Sequence, residues 1–338
     1  MPYLICFIVA IALLITIVSF GKTIDLNMVL LAVIIMVGSG GYYALATSTV
    51  LEEALLANKI LYVTGVFGPA IVLLIICNIC RINLPKWLRI AIYAVQTLMY
   101  FCVCNIGGLN LFYTGAQLRN GPMGAYLVKT YGPMHSINLV MMLIYTMAGI
   151  VVALYSLNRK TIVSRLNVYI LLITDMLVVG EYVLQHILFL GIELLPFFFT
   201  LAACVYMVLL YRIYYFSIYN NPVILAEKIE KDGYIFFSKN MRFMGGSDYA
   251  QEVFPELNEW ELEKKVPGSG GRFNTFLRQP LNSFAESKNG DESLIDTFEY
   301  KGNVYRYEIG HLKNSRGKRR GYLVQISNVT ELFGTDNE

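Results

Sequence analysis

Seven apolar stretches, at about 2–20, 27–47, 59–80, 87–106, 135–156, 166–190 and 194–216, constrain this chain more than any other feature. A hydrocarbon core about 30 Å thick needs about 20 apolar residues of helix, and each stretch meets that length. In lipid every backbone polar group must be satisfied inside the segment or inside a closed barrel, and continuous apolar runs of this kind satisfy it as helices. The first stretch has no basic start and no small-residue cleavage site, so it reads as an uncleaved span. The fold expected for 1–216 is a multi-pass α-helical membrane bundle of seven helices.

Charge divides the chain in the same place. Residues 1–216 hold 11 Lys/Arg and 6 Asp/Glu, whereas the remaining 122 residues hold 16 and 18. With 15% charged and 56% hydrophobic residues overall, against about 25% charged in an ordinary soluble protein, a single soluble enzyme is excluded. A disordered chain is excluded too, because apolar and aromatic residues occur throughout. The second part is slightly acidic and offers no basic footprint, so nucleic acid is not an expected partner. All six cysteines lie in the apolar part. Cys77/Cys80 and Cys102/Cys104 have the spacing of metal-ligand pairs, but no His or carboxylate stands near enough in sequence to complete a site.

Loop charges orient the bundle. Lys22, Arg81, Lys86, Arg89, Arg159, Lys160 and Arg165 fall on one side; Lys59, Arg119 and Lys129 fall on the other, beside Glu52, Glu53 and Glu193. The richer side is expected in the cytoplasm, with the N-terminus outside and the C-terminal domain inside. Most outer loops are short, but the one at about 107–134 is long, rich in glycine and carries Tyr, Leu and Val. It reads either as a packed lid over the bundle mouth or as a plain connector.

Charges at membrane depth are costly and usually face a partner or a cavity. At 100° per residue, Asp175, Tyr182 and His186 share one face of the sixth span, and Glu181 points elsewhere. Gln96, Tyr93 and Tyr100 on the fourth span and Asn138 on the fifth are the partners expected to face that stripe. A ligand or ion pocket and a purely structural interhelical network are both compatible with it. Gly38-Ser39-Gly40-Gly41 and Gly65-Val66-Phe67-Gly68-Pro69 suggest close helix approach with a kink, or a hinge.

Beyond the spans, 217–232 continues as a polar linker helix with Val223, Ala226 and Ile229 in a narrow apolar stripe. Strands are expected at 233–237 and 242–244, a helix capped by Ser247 or Asp248 to about Leu257, then a loose stretch around Pro267–Gly271. Three more strands follow at about 294–300, 303–312 and 321–327, with a Lys301-Gly302 turn and a basic turn over 313–320. In the middle strand, Tyr305, Tyr307 and Ile309 alternate with Arg306 and Glu308, so one face is buried. This is an α+β domain with a five-stranded antiparallel sheet.

The ending Gly321-Tyr322-Leu323-Val324-Gln325-Ile326-Ser327-Asn328-Val329-Thr330-Glu331 resembles the last strand and closing motif of PAS domains, with Asn328 where that family usually has Asp. Gly41-Tyr42-Tyr43, the Tyr62-to-Pro69 segment, and Tyr131-Gly132-Pro133 leading to Tyr145 resemble the seven-helix N-terminal sensor region of bacterial histidine kinases and diguanylate cyclases. The resemblance divides the chain into a sensor bundle (1–216), a signalling linker (217–232), a PAS-like domain (233–331) and a tail (332–338). It implies a two-component membrane receptor whose bundle senses an external or membrane-borne ligand. Its PAS-like domain couples the change to a kinase or cyclase domain missing here, or to a separate cytoplasmic signalling protein, as part of a homodimer in the cell membrane.

No output chemistry accompanies it. None of His135, His186 and His311 is followed by an acidic residue as a phosphotransfer helix needs, no cyclase signature occurs, and Gly268–Gly271 lacks a phosphate loop's Gly-Lys-Ser/Thr. Eight residues follow Thr330, too few for an output domain. The chain is expected not to be an enzyme, and to bind no metal or cofactor: its soluble part has no cysteine for a flavin adduct, and its one histidine, His311, reads as a sheet residue. A transporter or permease with a regulatory tail is the rival reading, with Asp175 and His186 relaying protons or ions. A structural adaptor is a third.

Overall fold

A computed structural model describes residues 2–19, 25–80, 82–157, 164–188, 193–216, 232–266, 271, 273–286, 293–313 and 319–333. Side chains at 182–188, 210, 213–216, 274, 313, 320 and 333 fall outside the description. The chain divides into two compact units, one of residues 1–158 and 166–211, the other of 159–165 and 212–338.

The first unit contains α1 (Pro2–Ser19), α2 (Leu26–Thr47), α3 (Leu51–Ile79), α4 (Lys86–Cys104), a hairpin of β1 (Tyr113–Gly121) and β2 (Gly124–Tyr131), α5 (Pro133–Leu157), α6 (Arg165–Leu188) and α7 (Leu195–Phe216). Among the described residues, α1 to α5 are each long and apolar enough to cross a membrane, and Leu195–Leu209 is a shorter apolar helical stretch. Exposed Ile, Leu, Val and Phe side chains cover the outward faces of α4 and α5, which suits a lipid solvent.

Small residues set the central contact. A Cβ on Gly41 would lie 2.6 Å from the Leu61 backbone nitrogen, and one on Gly38 would meet the Thr64 hydroxyl. Without those side chains α2 lies directly on α3, and the Thr64 hydroxyl donates to the Ile34 carbonyl at 2.6 Å. The glycine run therefore serves close approach within an unbroken helix. Pro69 likewise lies inside the continuous α3. At one end of the bundle Asp25 caps α2 and accepts from Asn78 of α3 at 2.7 Å, while Tyr93 of α4 donates to Asn27 at 2.8 Å. Cys80 donates to Ser156 at 3.3 Å, so Cys77 and Cys80 are buried in helix packing. Among the described residues no group of three or more His, Cys, Asp or Glu could hold a metal ion.

The long loop is a folded lid. Register runs from Tyr113 opposite Tyr131 to Gly121 opposite Gly124, leaving the two-residue turn Pro122-Met123. The period of two turns Ala116 and Leu118 of β1 and Ala125, Leu127 and Lys129 of β2 inward. Leu127, with Ala116, Leu118 and Met123, packs on the Leu45, Ala54, Ala57 and Leu61 cluster of α2 and α3.

The second unit has a five-stranded antiparallel sheet in the order β4-β3-β7-β6-β5. Its strands are β3 (Asp232–Ser238), β4 (Phe243–Gly246), β5 (Leu294–Tyr300), β6 (Asn303–Lys313) and β7 (Arg319–Asn328). Between β4 and β5 come α8 (Asp248–Val253), a 3-10 turn (Pro255–Glu259), a π-helical turn (Asn274–Arg278) and α9 (Gln279–Glu286). Ser247 caps α8 by accepting from the Ala250 N–H. Lys301 and Gly302 both have positive φ, 54° and 79°, the geometry of a two-residue hairpin turn. Tyr305, Tyr307 and Ile309 are buried with Phe237, Phe254, Trp260 and Phe298 in one aromatic core.

Residues 273–286 correct the loose stretch expected there: Phe273, Leu277, Leu281 and Phe284 recur at helical spacing and are all buried. Pro280, which cannot donate a backbone hydrogen bond, is the second residue of α9, separated by Gln279 from the π-helical turn that widens the hydrogen-bond ladder. Asp232 begins β3 instead of ending the linker helix. The rest of the expected linker, 217–231, lies outside the described residues, as do 267–270 of the glycine-rich loop and 314–318 of the basic turn. Past β7, Asn328 accepts from the Thr330 N–H at 3.0 Å, and the Val304 N–H donates to the Thr330 hydroxyl at 2.9 Å. The short α10 (Thr330–Phe333) is thereby fixed against the start of β6.

Candidate functional site

One group of polar residues of the first unit gathers where the hairpin closes over the helices. Lys129 reaches inward from β2, its side chain 10% exposed, and pairs with Glu193 just before α7 at 3.4 Å. The Glu193 N–H donates to the Tyr3 hydroxyl of α1 at 3.2 Å. Beside them Asn58 of α3 donates to the Tyr113 hydroxyl at 3.2 Å, and Tyr113 donates to the Tyr62 hydroxyl at 2.7 Å. His135, in the first turn of α5, stacks on Tyr131 with ring centroids 3.9 Å apart and meets Phe112 edge-on at 5.4 Å. Hairpin, α1, α3, α5 and the start of α7 are thus joined by one tyrosine-rich polar cluster.

Burial acts on these groups in opposite senses. It pulls the Lys129 ammonium down, but Glu193, with Tyr62 and Tyr131, outweighs it and holds the group above the ordinary lysine range. Burial pushes the Tyr113 phenol well up, so this hydroxyl stays a neutral donor. Deeper in the bundle, Glu181 of α6 is 3% exposed, and neither of its carboxylate oxygens has a hydrogen-bond partner among the described residues.

The described hydrogen bonds of the residues expected to form the site run to other groups than one another. Asp175 accepts a short hydrogen bond from Tyr206 of α7, where Gln96, Tyr100 and Asn138 had been its expected partners. Tyr100 donates to the Lys59 carbonyl at 3.2 Å, and Asn138 points one amide hydrogen at the Met142 sulfur of its own helix. Gln96 is buried with both amide atoms unpartnered among the described residues. Tyr182 and His186 fall in the last turns of α6, and their side chains lie outside the described residues. A cleft of about 350 Å³ is lined by Glu52, Lys59, Cys104 and Gly107, and borders the candidates at Lys59, whose carbonyl accepts from Tyr100. The cluster under the hairpin was missed because its members come from six separate elements, each contributing one or two residues to an otherwise apolar run. The legible signal was Lys129 and Glu193, both counted as loop charges.

Long apolar helices, closed at one end by a hairpin and followed by a separate α+β unit, define a polytopic membrane protein with a globular domain attached. The family described as the N-terminal 7TM region of histidine kinase matches residues 3–219, and the chain belongs to it. That family suggests a membrane sensor. No curated protein matches the chain.

Proposed function

We propose that this protein is a membrane sensory receptor. Its ligand is recognised at the hairpin end of the bundle, and binding is relayed through α6 and α7 to the C-terminal domain. The observation that carries this reading is the buried Lys129–Glu193 pair under a packed hairpin, in a chain of the histidine-kinase 7TM family. All seven long helices span the membrane in this reading, with the N-terminus and hairpin outside and residues 232–331 in the cytoplasm, which the excess of loop Lys and Arg on one side supports. The second unit is PAS-like. The succession of two strands, helices and three antiparallel strands supports this, and so does Asn328 supplying the side-chain acceptor at the closing Thr330. The chain itself is not an enzyme, and it acts on a separate signalling protein or a kinase or cyclase domain, as a homodimer.

Asp175 and Tyr206 are the coupling element, since their hydrogen bond ties α6 to α7 at membrane depth. The test needs no known ligand. In the full chain in lipid nanodiscs, Tyr113→Phe should change amide hydrogen exchange in β3 and β7, and adding Asp175→Asn should abolish that change. Exchange unaffected by Tyr113→Phe would overturn the relay. Solute uptake by reconstituted vesicles, lost in Asp175→Asn, would establish the transporter reading in its place.

A further inference from the structure

Glu181 is the one carboxylate among the described residues of the bundle that is buried with both oxygens unsatisfied. It is 97% buried, since only 3% of its surface is exposed, and both oxygens lack a partner among the described residues. An uncompensated buried carboxylate is strongly destabilising. Glu193, whose like charge acts on it, is already paired with Lys129. Tyr42 is buried on α2. Its ring stacks on Tyr3 at 6.3 Å, and Tyr3 meets Phe197 at 5.7 Å. A buried carboxylate with two open acceptors is the chemistry that receives a primary ammonium group. Its N–H donors fill the oxygens, and its charge offsets that of the carboxylate.

We infer that Glu181 is the anionic anchor of a site for a ligand bearing a primary ammonium group. This deepens the sensory reading and rests on it for biological meaning, but the binding event is measured independently of any relay. The full chain is placed in nanodiscs of phosphatidylglycerol, a lipid without an ammonium group. Methylammonium chloride, tetramethylammonium chloride and sodium chloride are compared at equal concentration by thermal unfolding and calorimetry.

Methylammonium should raise the unfolding midpoint, while tetramethylammonium, which has no N–H, and sodium should not. Glu181→Gln should be more stable than the native chain without any probe, and should bind methylammonium about tenfold more weakly or worse, the scale of a lost charge-assisted hydrogen bond. Glu181→Asp, which keeps the charge, should bind between the two and guards against a folding defect in the amide variant. Equal shifts from sodium and methylammonium, no shift at all, or an undiminished response in Glu181→Gln would each overturn the inference. Glu181-dependent binding together with unchanged exchange in β3 and β7 would keep this site and remove the relay.

Discussion

Replacing Lys129 by alanine is expected to destabilise the helical unit by about 3–5 kcal/mol, the scale for removing one partner of a buried ion pair. Lys129 and Glu193 are 10% and 18% exposed at their side chains, so water cannot rehydrate the abandoned carboxylate without opening the hairpin. The double variant Lys129→Met/Glu193→Leu should recover most of the loss, because replacing both charges by apolar groups removes the desolvation penalty along with the attraction. Unfolding of the full chain in mixed micelles, read as a double-mutant cycle, checks this. A single-variant loss below about 1 kcal/mol would place the pair among exposed salt bridges and remove the lid's anchor. The pH dependence has a definite sign. The folded ammonium is held above its unfolded value, so its contribution is complete below the unfolded lysine pKa of about 10.4 and is lost as pH rises through the folded value. The pair is therefore a fixed clamp at neutral pH, not a pH sensor.

Helix positions were the legible part of this chain because hydropathy reports burial in lipid directly. The stretch read as 59–80 matches the C-terminal limit of α3 but misses its start at Leu51. Glu52, Glu53, Asn58 and Lys59 interrupt the apolar count, yet all are good or tolerable helix residues once the chain leaves the hydrocarbon. The three closing strands of the second unit were read almost to the residue, since Tyr305, Tyr307 and Ile309 alternate cleanly and Lys301-Gly302 marks the turn. In contrast, the hairpin has Pro122-Met123 at its turn and only Ala116, Leu118, Ala125 and Leu127 as its inward aliphatic residues, too weak an alternation to distinguish strands from loop.

The candidate site shows a different limit. A helical wheel placed Asp175 and Glu181 on different faces of α6, which accords with one meeting Tyr206 and the other standing apart. It could not say which neighbouring helix each face meets. That depends on how the helices are arranged around one another, which is set by contacts such as Gly41 on Leu61 that hydropathy does not register.

That contact is also where a single added side chain should do most damage. Gly41→Leu should separate α2 from α3 at a cost of about 3 kcal/mol or more, at the upper end for overpacking. The reason is geometric: the new Cβ would stand 2.6 Å from the Leu61 nitrogen and 2.9 Å from its Cα. Backbone inside a helix cannot rotate away as a side chain can, so the helices must part. Parting them breaks the Thr64–Ile34 hydrogen bond. It also withdraws the end of α2 from the hairpin turn, where Gly124 lies so close that a Cβ there would be 2.5 Å from the Ala46 carbonyl oxygen. Loss should therefore spread from the helix pair to the lid, seen as faster amide exchange across β1 and β2 as well as a lower unfolding midpoint. Gly65→Ala is the matched control. Its Cβ would meet only the Tyr62 ring at 3.6 Å, and alanine's higher helix propensity, about 1 kcal/mol over glycine, makes it neutral to stabilising. Equal effects from the two substitutions would mean that α2 and α3 are not in backbone contact. Hairpin exchange unchanged in Gly41→Leu would mean that the lid is seated independently of them.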